Sequence, residues 1–265
     1  MKIIVAGSNT RDAEKICKEN KVMKLYSLLN ERKLIENWDD EHLLMVDSGA
    51  HSWNKEGITP VGMKRNSKLK PAREFYDFYL DFIQQHKDKK VVWVEFDVYG
   101  HLPVSLIDDF YDQVMSMNIS GKFMRVYHPM LDDGSMSVLK KWMNQGHEYI
   151  GIGNDSTNML DEIFHLTRDQ TKLHGFAMTK LGLMEKYPFF SVDSTSPLST
   201  VIFGRYTRPI MAFNERSDIS EAKSIECFDD DWDRIENAII ETKKTEDYVT
   251  ELWSKKGIQW QDLKF

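Results

Sequence analysis

Eight short apolar runs, each of strand length, constrain this chain more than any other feature. They are Ile3–Ala6, Leu43–Val46, Val91–Phe96, Phe123–Tyr127, Tyr149–Ile152, Gly175–Met178, Phe189–Val192 and Val201–Phe203. Several lack polar alternation, as strands covered on both faces of a parallel sheet do. Helical patterns lie between them. Phe75, Tyr76, Phe78, Tyr79, Phe82 and Ile83 recur at helical spacing over 72–85, and Ile107, Phe110, Tyr111, Val114 and Met117 over 104–117. Val138, Leu139, Trp142 and Met143 mark another helix, as do Ile163, Phe164 and Leu166. Such aromatic and methionine stripes read as core.

Strands alternating with helices over 265 residues predict an α/β fold that closes as a (β/α)8 TIM-like barrel. The alternative is a doubly wound open sheet. It is weakened by the turn after the first run, where Ala6-Gly7-Ser8-Asn9 is not the Gly-rich dinucleotide fingerprint. Residues 1–265 read as one domain. The charged, helical stretch 215–265 is expected to cap the barrel, packing through Trp232, Ile235, Ile239, Ile240, Tyr248, Leu252 and Trp253. No apolar run approaches the ~18 residues of a membrane span, and the opening MKIIVAG is too short for a signal peptide. Cys17 and Cys227 are the two cysteines. They read as free thiols of a reducing cytoplasm, too few for a disulfide framework or a cysteine-rich zinc site.

In a barrel of this kind the active site gathers where strands end. Three runs deliver an aspartate there: Asp47, Asp97 and Asp193. Each alone reads as a helix cap. Three together suggest either a carboxylate-based chemistry or a Mg²⁺ site. Two carboxylates can divide a glycosyl transfer. One attacks the anomeric carbon, while the other protonates the leaving group and then deprotonates the incoming one. Gly49, Gly151, Gly153 and Gly175 would let backbone approach a flat ligand.

Four segments carry a family resemblance. Val46-Asp47-Ser48-Gly49-Ala50-His51 resembles the D-S-G-G-F-Q segment of tRNA-guanine transglycosylases. Tyr149-Ile150-Gly151-Ile152-Gly153 is similar to their A-I-G-G-L segment. His174-Gly175-Phe176-Ala177-Met178 takes the place of their L-M-G-V-G strand, and Phe190-Ser191-Val192-Asp193-Ser194 resembles the strand end that bears the nucleophile. The order matches over about residues 40–200. The family's zinc ligands are absent, His51-Ser52 replaces Phe-Gln, and Thr195-Ser196-Pro197 replaces Pro-Thr-Arg. The compact chain looks most like the phage members of the superfamily, which place 7-deazaguanines in DNA. The resemblance implies Asp193 as nucleophile, Asp47 as general acid/base and Asp97 as reader of the base edge. It further implies Ser48, Gly151, Ile152 and Gly153 around the base, Met178 against its face and His128 where the family has a base-contacting Gln. No cofactor or metal is implied.

Segment 54–73 holds Lys55, Lys64, Arg65, Lys68, Lys70 and Arg73 against Glu56 alone, in a chain of net charge −7. This reads either as a solvated loop or as a phosphate-binding loop that gains affinity by counterion release. Trp53 reads equally as a stacking platform or as core. The expectation is therefore a transglycosylase that flips a guanine from a nucleic acid, DNA before tRNA, and exchanges it for a free 7-deazaguanine in the cytoplasm. A nucleosidase or nucleoside base-exchanger, and a non-catalytic deazaguanine- or nucleic-acid-binding barrel, are the alternatives.

Overall fold

The structure is a computed structural model that describes residues 1–7, 11–38, 44–50, 69–99, 102–168, 170–195, 197–198 and 231–264. The strands are β1 (Lys2–Ala6), β2 (Lys24–Ser27), β3 (Leu44–Asp47), β4 (Val92–Val94), β5 (Lys122–Tyr127), β6 (Tyr149–Ile152), β7 (Lys172–Gly175) and β8 (Ser191–Ser194). They run parallel, pair in chain order and close into a barrel as β8 meets β1. The helices among the described residues are α1 (Arg11–Glu19), α2 (Leu28–Glu36), α3 (Leu69–Gln85), α4 (Val104–Ser116), α5 (Ser137–Asn144), α6 (Leu160–Thr167), α7 (Leu181–Lys186) and α8 (Asp231–Lys255). The fold is thus a (β/α)8 barrel and not an open doubly wound sheet. Closure leaves no strand edge unpaired. No helix among the described residues is long and apolar enough to cross a membrane.

By internal contact the chain divides into two compact units. The first comprises Met1–Lys24 and Ile152–Asp262. Here Val5 of β1 packs with Ala13, Ile16 and Cys17 of α1 and with Ile235 and Ile239 of α8. α8 also closes the polar backbone of β1: Glu246 Oε2 accepts the Ile3 N–H at 2.7 Å. Of the expected packing positions on α8, Ile235, Ile239 and Trp253 are buried, whereas Ile240 is 40% exposed. It lies one position off the buried stripe formed by Ala238, Ile239 and Thr242.

The second unit comprises Leu25–Gly151 and Leu263–Phe265. The aromatic stripe of α3 forms its core. Phe75 meets Phe96 edge-on at 5.0 Å, and Tyr76 meets Phe110 of α4 at 4.9 Å. Trp93, Phe82 and Val114 join the same cluster. Each such side chain, fully buried, contributes about 1.5–3 kcal/mol. Gly121 precedes β5 because a Cβ there would lie 2.2 Å from the Val91 carbonyl oxygen.

β6 coincides with its apolar run, β1, β3, β4 and β5 differ from theirs only at their ends, and β2, β7 and β8 depart further. β2 is not among the runs because it begins with Lys24, a buried cation whose Nζ donates to the Gly7 carbonyl at 2.6 Å. β7 ends at Gly175, where the expected run begins. Ala177 adopts a left-handed φ of +54°, which no strand accommodates. β8 starts two residues after Phe189, which packs edge-on against Phe164 of α6 at 4.9 Å before the strand begins. Asp193 therefore sits within β8 rather than after it. Val201–Phe203 lies outside the described residues, and the barrel closes without it.

Candidate functional site

In the first unit the register fixes which side chains face the inside of the barrel. Val5 packs against α1 and α8, so Ile4 points the other way, because strand side chains alternate. Ile4 pairs with Asp193 and Lys2 with Ser191, while His174 of β7 pairs with Ser191. Asp193, Ser191 and His174 thus share the inner face. Asp193 Oδ1 accepts the Ala177 N–H at 2.8 Å. His174 Nε2 lies 3.3 Å from the same oxygen, off the line a hydrogen bond needs. His174 Nδ1 is 2.8 Å from Ser191 Oγ. His174 and Ser191 are fully buried, and Asp193 is 8% exposed.

The glycine of this segment has a packing reason. A Cβ on Gly175 would stand 2.8 Å from the Phe189 ring and 3.0 Å from Met178. Met178 is fully buried beneath it. Ile152, at the end of β6, is also fully buried and its carbonyl accepts the Phe176 N–H at 3.1 Å. Gly153 is buried, and its carbonyl accepts the Ser156 N–H at 2.9 Å, opening the 3-10 turn Asn154–Met159.

In the second unit Asp47 ends β3. Its Oδ2 accepts the Gly49 N–H at 3.0 Å, and the buried Ser48 Oγ accepts the Ala50 N–H at 3.2 Å. These two side chains shape the turn out of the strand, as Asp and Ser commonly do. Gly49 has φ +89°, and a Cβ there would meet Leu29 at 2.7 Å. The Tyr79 hydroxyl donates to the Val94 carbonyl at 2.7 Å and reaches Val46 O at 3.3 Å, tying the ends of β3 and β4 together. Burial holds this phenol well above its ordinary value, and the Asp47 and Asp97 carboxylates add to the effect. Both aspartates therefore lie within electrostatic reach of one hydroxyl. Asp97 Oδ2 stands 3.1 Å from His128 Nε2, with the two side chains 20% and 18% exposed. The Tyr99 ring meets His128 edge-on at 5.3 Å. Gly151 is buried near the end of β6.

Behind Asp97 lies a closed polar network. Glu95 is fully buried and accepts from Arg125 Nε at 2.7 Å, the Tyr99 hydroxyl at 2.8 Å and the Val126 N–H at 3.0 Å. Arg125 also donates to Asp108 at 2.6 Å and lies over the Trp142 ring at 4.3 Å. Burial raises the Glu95 carboxyl, and the Arg125 charge and the three hydrogen bonds pull it back.

Lys55, Lys64, Arg65 and Lys68, together with His51, Ser52 and Trp53, lie outside the described residues. Lys70 falls in the first turn of α3, and its side chain is likewise outside them. Arg73 is engaged on its own helix, 3.2 Å from Asp77 and over the Tyr76 ring at 4.4 Å. Two grooves open elsewhere. One of about 320 Å³ in the first unit is lined by Lys2, Phe189, Phe190, Trp253 and Trp260. One of about 460 Å³ in the second is lined by Tyr111, Lys122, Phe123, His147 and Tyr149. Both border residues at or before strand starts, and neither contains a candidate residue. In the second, burial and the Arg125 charge push the His147 imidazole down to about 4.

Sequence reasoning did not single out His174, Ser191, the Ala177 N–H or Tyr79 for a role. The one signal for the first was a histidine beside an apolar run. The others emerge only from register and packing. Among the described residues no group of three or more His, Cys, Asp or Glu side chains is arranged to hold a metal. No protein-family model matches the chain, and no curated protein matches it. What the fold and its strand ends define is a (β/α)8 barrel with carboxylates where such barrels carry chemistry.

Proposed function

We propose that this chain is a transglycosylase, a pentosyltransferase that replaces guanine in a nucleic acid by a free 7-deazaguanine base, with DNA preferred to tRNA. The observation that carries the reading is the state of Asp193. One oxygen of this inward-facing carboxylate is held by the Ala177 N–H, and no donor among the described residues reaches the other, Oδ2. A carboxylate fixed in direction with one oxygen uncommitted is what attack on an anomeric carbon requires. In this reading Asp193 displaces guanine from C1′ and forms a sugar ester. Asp47 protonates the departing base and later takes a proton from the incoming one. Two inversions give retention. Asp97 and His128, hydrogen-bond partners at the ends of β4 and β5, would read the base edge. Ser48, Gly151, Ile152, Gly153 and Met178 would surround it, and the lysines of segment 54–73 would bind phosphates. The enzyme would work in the cytoplasm, that of a host cell for a phage protein, as the likeness to the compact phage enzymes implies.

Incubation with radiolabelled guanine and, separately, DNA, tRNA and free nucleosides tests the reading. Label entering DNA in the wild type and not in Asp193→Asn supports it. Exchange into nucleosides alone would make the chain a nucleoside base-exchanger, and exchange into none of the three would remove the transglycosylase reading.

A further inference from the structure

His174 is a buried titratable group that the mechanism above leaves without a role. Its ring lies between two others on the inner face: Nδ1 is 2.8 Å from Ser191 Oγ and Nε2 is 3.3 Å from Asp193 Oδ1. The carboxylate beside Nε2 bears on where the ring proton sits. Asp193 Oδ1 already accepts the Ala177 N–H at 2.8 Å. With Nε2 bare, its lone pair would face a carboxylate oxygen inside a fully buried site, an arrangement of two acceptors with a desolvation cost. With a proton on Nε2, that nitrogen holds a donor 3.3 Å from Oδ1, off line as it stands, and Nδ1 can accept from the Ser191 hydroxyl.

We propose that His174 is the positioning residue of Asp193, keeping its proton on Nε2 and turning that N–H to hydrogen-bond Oδ1 as Asp193 departs from the sugar. The proposal rests on the transglycosylase reading for its kinetic consequence, but not for its proton assignment. In the first step the Oδ2–C1′ bond forms and the C1′–N9 bond breaks. The electron pair leaves with guanine, which takes a proton from the general acid. In the second step the incoming base, having lost a proton to that same residue, forms a bond to C1′. The C1′–Oδ2 bond breaks, and its pair returns to Asp193 as carboxylate charge. A donor at Oδ1 stabilises that charge as it appears, so His174 assists ester breakdown more than ester formation. The contact is long and poorly aligned without substrate, as hydrogen bonds of catalytic groups often are before they tighten.

Two measurements decide it. The first needs no reaction: long-range ¹H–¹⁵N correlation spectra of full-length protein labelled in histidine, with His174 assigned by its loss in His174→Phe. A protonated Nε2 and a bare Nδ1 support the proposal, and a proton on Nδ1 overturns it. The second follows the covalent sugar adduct on denaturing gels. In His174→Phe, which keeps the ring volume without a donor, breakdown of the adduct by incoming base should slow roughly ten- to a hundredfold, the worth of a hydrogen bond to a charged group. The adduct should therefore accumulate above the wild-type level, and His174→Gln, which keeps an N–H donor, should restore part of the rate. A purely structural loss would lower adduct formation instead, and that result, or an unchanged breakdown rate, overturns the proposal. If the wild type forms no adduct on any nucleic acid, the transglycosylase reading fails, and the ring proton alone settles the role of His174.

Discussion

Glu95 and Asp193 are both carboxylates at the strands of one barrel, yet their surroundings differ in kind. Glu95 is fully buried, shares Arg125 with Asp108 and accepts three hydrogen bonds divided between its two oxygens. Fully buried, it is closed to a ligand. Asp193 concentrates its contacts on Oδ1, with the Ala177 N–H and the His174 ring on one side and no donor among the described residues at Oδ2. Sequence position alone does not separate the two, since each stands in or beside an apolar run. The difference lies in how completely the neighbours saturate the carboxylate. A carboxylate bonded at both oxygens holds structure together, and one bonded at a single oxygen leaves the other open to a ligand.

The contrast can be broken from either side. The largest effect expected is on Asp193→Asn, which keeps shape but removes the attacking charge. Base exchange should fall by several orders of magnitude, more than the ~10²–10⁴-fold typical of losing a general acid or base, while the urea unfolding midpoint stays near wild type. Comparable turnover in the two proteins would put Asp193 on the structural side with Glu95.

Glu95→Leu should do the reverse. It leaves the buried Arg125 dependent on the partly exposed Asp108 and is expected to cost about 3–5 kcal/mol in urea denaturation. The double variant Glu95→Leu with Arg125→Met should be less damaged than the single one, because no buried charge is left alone. If the two changes are additive, the pair does not act as a unit. Tyr99→Phe removes one of the donors to Glu95 and should cost about 1.5–3 kcal/mol by the same measurement. A loss under about 0.5 kcal/mol would mean that water readily replaces the phenol.

The smallest effect concerns pH. His147 is pushed from its ordinary 6.5 to about 4 by burial, helped by Arg125. The unfolded chain therefore binds the proton first, and stability should decline as pH falls from about 6.5 through about 4. The full shift corresponds to about 3 kcal/mol, and roughly half of that survives solvent screening of a partly exposed ring. His147→Leu should flatten the pH dependence of the unfolding free energy across that window, and an unchanged slope would show that other groups set it.

The barrel was legible because its apolar runs are. Tyr149–Ile152 is apolar throughout and coincides with β6 residue for residue. β2 was hidden because Lys24, a cation, is satisfied inside the protein by the Gly7 carbonyl, a partner that only the folded backbone supplies. β7 was misplaced for a related reason: His174 reads as polar, though its Nδ1 is matched across strands by Ser191. The aspartates at the ends of β3 and in β8 could be read as positions, from the residues that precede them. Their partners could not. Cross-strand register decides that His174 stands beside Ser191, and a side chain 33 residues away, Tyr79, decides that the ends of β3 and β4 are tied together.

The left-handed backbone at Ala177 has a consequence for how this protein tolerates change. Its φ of +54° is a conformation that L-residues adopt at a cost of about 1–2 kcal/mol, and that glycine adopts freely. A library randomised at position 177 should thus return glycine and asparagine readily and reject valine, isoleucine and threonine, whose branched Cβ atoms deepen the strain. Yet the side chain at 177 is not what touches Asp193; its backbone N–H is. Mutational tolerance here records the shape of the main chain rather than the chemistry of a side group, so variation at this site can look permissive in one direction and forbidding in another while the contact it serves never changes its atoms.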